Sequence, residues 1–216
     1  MKKSEFLGGA LCLDFLNTLH DTGADDPEEE LLSDAHFVIW AVHAGILSAD
    51  EASGLQARTL HKHVQLKLPG KKPASLCDNA RVLRESLRQM FQRALRDGQV
   101  APQDVEKLNP LLARFPAAGR IERSKDCDWK LNWESQEGAA EKIFYAIVKS
   151  VAELVSTGRW RAMRECASDS CTWMFLDTTK NHSRRWCEMA RCGNRDKVHR
   201  FRARSRHADT RKAVRK

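Results

Sequence analysis

No stretch of the sequence approaches the roughly 18 consecutive apolar residues of a membrane-spanning helix, so no span is expected. The chain also reads as lacking a secretion signal, because Glu5, the Gly8-Gly9 pair and Asp14 interrupt its first apolar stretch. Seven cysteines are too few, and odd in number, for the disulfide framework of a secreted chain of 216 residues, which favours a reducing cytoplasm. Internal repeats are missing, as is any low-complexity segment before the basic tail. A Gly-rich phosphate loop and a Ser or Cys nucleophile beside a base are missing too, so the expectation is that the protein is not an enzyme.

What is present is an ordinary globular composition, 42% apolar and 31% charged, long enough for one sizeable core and a small module. The net charge of +8 is unevenly placed. From Arg159 onward there are 17 lysines and arginines against 6 acids, a net of +11; residues 1–158 hold the other 20 against 23, a net of −3. A polyanionic partner is implied for one end only.

The apolar segment from Phe6 to Leu19 holds Asp14 and Asn17 as its strong polar groups, expected to satisfy local backbone, and its shortness leaves helix and strand equally open. Ser33 and the Ser48-to-Glu51 pair read as helix caps. Ser75 opens a long amphipathic helix that Gly98 ends. That helix carries Arg81, Arg84, Arg88, Arg93 and Arg96, read as a solvated face. A further helix begins at Pro102 and is kinked or split at Pro110. Residues 119–123 and 127–133 alternate with period two and predict a β-hairpin. The helical period then returns from Gly138 to Thr157, and Gly158 marks a boundary between residues 1–157 and 158–216.

The second part carries the chemistry. Cys166 with Cys171, and Cys187 with Cys192, are two Cys-x4-Cys pairs, and four thiolates suit one tetrahedral structural zinc with no position left for a substrate water. A knuckle, a β-prone segment at 172–177 and a second ligand pair opening a helix follow the order of a treble clef. His182 lies between the pairs but is not needed as a ligand. Trp173, Phe175 and Trp186 are expected in the finger's core. Beyond the last cysteine, Val198 and Phe201 are spaced to anchor a helix. Arg195, Lys197, Arg200, Arg202, Arg204 and Arg206 form a cationic run suited to duplex DNA, with Arg195 the first choice for a guanine edge.

Two short words resemble a known family. Cys192-Gly193-Asn194-Arg195 is similar to the signature of the bacterial CGNR zinc fingers, and Leu13-Asp14-Phe15-Leu16-Asn17-Thr18 resembles the LDF-x-N-T opening of the ABATE domain that precedes that finger. The resemblance implies a stress-induced transcription regulator of the bacterial cytoplasm, associated with the nucleoid. Its N-terminal domain, 1–157, would bind a small effector or mediate a homodimer, with Asp14 and Asn17 as candidate ligand contacts, and its zinc finger, 158–216, would bind double-stranded DNA. The fold expected is α+β: a mostly helical domain with a small β-hairpin, then the treble-clef-like finger. An RNA-binding or ribosome-associated zinc protein is the alternative, since positive charge does not choose between duplexes.

Overall fold

The computed structural model describes residues 5–20, 28–58, 75–114, 118–123, 129–134 and 138–198. The element order is α1 (Leu11–Leu16), β1 (Leu19–His20), β2 (Glu28–Glu29), α2 (Asp34–His43), α3 (Ala49–Arg58), α4 (Leu76–Asp97), α5 (Pro102–Arg114), β3 (Ala118–Arg123), β4 (Trp129–Glu134) and α6 (Ala139–Ser156). A 3-10 turn at Arg159–Ala162, β5 (Met163–Glu165), β6 (Met174–Leu176) and a π-turn at Met189–Gly193 complete it. This is the α+β architecture expected, helical with small antiparallel pairs: β1 with β2, β3 with β4, and β5 with β6. Among the described residues no helix is long and apolar enough to cross a membrane.

Helices α2, α3 and α4 start where side chains supply partners for the end groups of the backbone. Ser33 Oγ accepts from His36 N at 3.5 Å. Ser48 and Glu51 exchange bonds of 3.2 and 2.7 Å, and Ser75 Oγ accepts from Asp78 N at 3.0 Å. Gly98 and Gly158 end α4 and α6 at φ 68° and 72°, a backbone region where a side chain would be strained. Pro110 sits inside a single α5 rather than splitting it. The β3–β4 hairpin pairs Ala118 with Glu134 through Arg123 with Trp129. His61, His63 and Cys127 lie outside the described residues.

Helices α1, α2, α4 and α6 bury one apolar cluster around Phe15, Phe37, Trp40 and Phe144. Phe15 lies 5.4 Å from Trp40, and Phe37 lies 5.4 Å from Phe144. Each such ring contributes about 1.5–3 kcal/mol on burial. The same cluster takes in Trp160, Met163, Met174 and Leu176 from beyond Gly158. The expected boundary is therefore a helix end but not a gap in packing. Strand β6 explains why: alternate side chains point to opposite faces, so Met174 and Leu176 enter the helical core while Trp173 and Phe175 enter a second, cysteine-lined core.

Two members of the arginine stripe of α4 depart from the solvated face expected, while Arg96 stays exposed. Arg84 and Arg88 are only 4% and 8% exposed. Arg84 pairs with Glu29 and donates to Thr18 Oγ1 at 2.8 Å. Arg88 donates to Leu16 O at 2.6 Å and to Thr172 O at 3.1 Å, so it closes the end of the six-residue α1 and ties it to the finger. Arg81 donates to Leu31 O, and Arg93 pairs with Asp104. Amphipathicity alone does not separate this from a wet face, because both place arginine opposite the apolar stripe.

Asp14 and Asn17, also weighed as ligand contacts, bond the main chain: Asp14 locally, as expected, and Asn17 far along the chain. Asn17 Nδ2 donates to Met174 O and its Oδ1 accepts from Met174 N, both at 2.9 Å. Asp14 Oδ1 accepts from Gly8 N at 2.7 Å. A Cβ at Gly8 would stand 2.7 Å from Leu13 Cβ, so glycine alone lets this segment cross α1 and present its carbonyl to Leu176 N at 2.8 Å. Burial pushes the Asp14 carboxyl up from 3.8 to about 6. A raised acid destabilises the fold once ionised: the penalty is absent below pH about 4, grows through the interval and is complete above pH about 6. Asp14→Asn keeps the acceptor for Gly8 and removes that penalty. Chemical denaturation of the pair across this range should show no difference near pH 4 and a variant more stable by about 2 kcal/mol at pH 8; a variant less stable at pH 8 would contradict this.

Candidate metal centre

The finger begins where β5 leaves the helical core. Pairing of Met163 with Leu176 and of Glu165 with Met174 makes the first ligand pair the tip of the β5–β6 hairpin. The hairpin thus encloses the knuckle, whereas the sequence suggested that it would follow it. Cys166 N donates to Trp173 O at 2.9 Å and Cys171 N to Ser168 O at 2.9 Å, a tight turn that faces both sulfurs inward.

The second pair uses a different device. A spacing of five residues overshoots an α-turn, and the chain meets it with the π-turn at Met189–Gly193, where Gly193 N donates to Glu188 O at 3.1 Å. Cys187 and Cys192 sulfurs come within 3.5 Å of each other. Residues 194–198 then continue as α-helix. Gly193 lets the Met189 side chain lie close over the turn: a Cβ would stand 2.3 Å from the Met189 sulfur, so that exposed, flexible side chain would have to move aside.

All four sulfurs are buried and lie within 4.8 Å of one another. A tetrahedron with zinc–sulfur bonds of about 2.3 Å has edges of about 3.8 Å, and the Cys171–Cys187 separation is 3.8 Å. The donor set fits one structural zinc, with Cys166, Cys171, Cys187 and Cys192 as its holders. By themselves four thiols this close cannot all ionise. Hydrogen bonds from Cys171 and Cys187 hold Cys166 well below the usual thiol range, and the same contact pushes Cys171 up. Cys187 is likewise pushed up, first by its bond to Cys166. A divalent cation removes that conflict by favouring the thiolate at every position. His20, Trp173, Arg191, Leu7 and Glu188 close the outer side of the cluster. The His20 and Trp173 rings are 5.6 Å apart.

Sequence-predicted residues divide as follows. The four cysteines converge. His182 lies apart from them, exposed, with Nδ1 3.3 Å from Asp177 O. Trp173 and Phe175 are buried and Trp186 is half-buried. Lys197 is exposed, and Arg200, Phe201, Arg202, Arg204 and Arg206 lie outside the described residues. Val198, expected as a core anchor, is 46% exposed. Arg195 is turned inward rather than toward a groove: its Nη2 donates to Ser170 O at 3.2 Å and approaches Cys192 Sγ at 3.6 Å. One guanidinium thus bridges the two ligand turns and places positive charge beside a thiolate. The four-letter word then has a local reading: a ligand, a close approach, a side chain donating to Ala190 O at 3.1 Å, and a brace.

The residues that sequence reasoning missed are those tying the finger down. Arg184 donates to Trp186 O at 3.1 Å and also to Cys187 O, with its guanidinium 4.2 Å over the Phe175 ring. Arg191 pairs with Glu5 at 2.6 Å. Their only sequence signal is that a small zinc module has too little core to leave every arginine idle.

Fold and site together define a zinc-finger protein whose finger shares a wall with a helical domain. The family model of ABATE, described as "Putative stress-induced transcription regulator", matches residues 9–158, and that of the CGNR zinc finger matches residues 162–205. The chain therefore belongs to the ABATE family and carries a CGNR zinc finger, as the two sequence words implied. No curated protein matches it.

Two outcomes follow from the geometry. Cys187→Ser should drop bound zinc well below one equivalent, and, because β6 is shared, should lower the thermal midpoint of the helical part as well; one full equivalent of zinc in the variant would contradict the ligand assignment. Arg195→Ala should weaken zinc retention against a chromophoric chelator by about 10- to 100-fold, the usual scale for groups that orient a ligand. Unchanged retention would remove the brace.

Proposed function

We propose that the protein is a DNA-binding transcriptional regulator in which zinc fixes the finger and the basic run after it docks on a duplex. The observation that carries this is the closed four-sulfur set followed at once by a helix that leads into Lys197, Arg200, Arg202, Arg204 and Arg206. Nothing in such a set is left open for chemistry, so its contribution is folding free energy, on the order of ten kcal/mol for structural zinc. The cations that follow in the sequence would neutralise phosphates, and counterion release would supply most of the affinity. With Arg195 occupied as a brace, the groups that read bases belong to the run beyond it.

Burial of Trp173 and Phe175 favours a duplex over single-stranded RNA, because single-stranded RNA readers need exposed rings for stacking. The helical domain would carry the signal. An effector or a second copy that shifted α1 or α4 would act on β6 through Asn17 and on the first knuckle's exit through Arg88.

Titration of a labelled mixed-sequence duplex with zinc-loaded protein should give binding whose log K falls steeply with log salt, lost when zinc is extracted. Lys197→Ala should flatten that slope by about one phosphate. Equal binding without zinc, or preference for single-stranded RNA at the same salt, would contradict the proposal.

A further inference from the structure

The segment between the two ligand pairs is stiffer than a connector needs to be. Asp177, 0% exposed, anchors it. Its Oδ1 accepts from Thr179 N at 3.0 Å and from Thr179 Oγ1 at 2.5 Å, and its Oδ2 accepts from Arg184 N at 3.0 Å. Thr179 Oγ1 in turn accepts from Ser183 N at 3.2 Å, and Thr179 O accepts from His182 N at 3.1 Å. His182 has φ 47°, the one non-glycine residue in the left-handed region among the described residues. Such conformations persist only where surroundings hold them, and they concentrate at sites that bind or switch.

The groups this frame presents outward are Lys180, Asn181, Ser183 and Arg185, all exposed. They comprise two cations, an amide and a hydroxyl, with no acid and no large apolar side chain. Arg185 is also fixed to the zinc site: its carbonyl accepts from Ala167 N at 2.8 Å, and its guanidinium lies 5.2 Å over the Trp186 ring. The finger's other guanidiniums around the cluster are committed, Arg184 to carbonyls, Arg191 to Glu5 and Arg195 to Ser170. Among the described residues, Lys180 and Arg185 make no ion pair. A protein-docking patch would need an aromatic or aliphatic anchor, which this surface lacks. Cations flanked by neutral hydrogen-bonding groups on a fixed frame suit phosphate oxygens.

We propose that residues 178–185 form a second nucleic-acid contact, separate from the basic run after Arg195, in which Lys180 and Arg185 each meet a backbone phosphate and Asn181 and Ser183 hydrogen-bond beside them. This rests on the DNA-binding reading above. The finger would then meet the duplex at two places, the preformed turn and the basic run.

The test uses the full-length, zinc-loaded chain and a fluorescent mixed-sequence duplex titrated over a range of salt. The Lys180→Ala/Arg185→Ala double variant should keep its zinc and its thermal midpoint. It should bind about tenfold or more weaker at low salt, with a log K against log salt slope smaller by about two phosphates. As a check that does not touch the frame, Lys180→Glu alone at the exposed tip should weaken binding more than Lys180→Ala. If both variants bind as the parent does while Arg204→Ala weakens binding, the second contact is overturned and the DNA reading stands. If the parent itself fails to bind the duplex at low salt, both fall together.

Discussion

Four thiols confined to one corner of a small module cannot share it as anions, and their own hydrogen bonds push them apart in acidity rather than settling them. A single divalent cation resolves the conflict, and the rest of the finger follows from meeting it. The β5–β6 hairpin turns at the first pair, the π-turn absorbs a five-residue spacing, Gly193 permits the approach to Met189, and Arg195 crosses from one turn to the other. Beyond the hairpin, which the helical core also holds, these features have little else to hold them, because the second core is little more than the cysteines, Trp173 and Phe175.

That constraint reaches into the helical domain because β6 has two faces. Met174 and Leu176 are core residues of the helices, while Phe175 between them belongs to the metal side. Polar ties run alongside: the Asn17 amide against the main chain of Met174, Gly8 against Leu176, and Arg88 between α1 and Thr172. The helical part and the finger therefore share a three-residue strand rather than a linker.

Much of this was legible in the sequence where the cause is local. Ser33, Ser48 and Ser75 cap helices because a hydroxyl reaches a backbone N–H three residues on, and Gly98 and Gly158 end helices because they tolerate positive φ. The four cysteines could be assigned because pair spacing and ligand chemistry are local too. What could not be read depends on partners far along the chain. Asn17 looks like a ligand contact until Met174, 157 residues away, uses both ends of its amide. Arg84 and Arg88 look wet until Glu29, Leu16 and Thr172 appear beside them. Arg195 looked like a base reader because charge count treats every guanidinium after the last cysteine alike. Only geometry separates those committed to carbonyls from those left for a partner.

The account is tested most directly by X-ray absorption at the zinc edge on the purified full-length chain. It predicts one zinc per chain with four sulfur neighbours at about 2.3 Å and no light-atom neighbour in the first coordination sphere. A spectrum needing a nitrogen or oxygen ligand, or protein that carries no zinc at all, would contradict it.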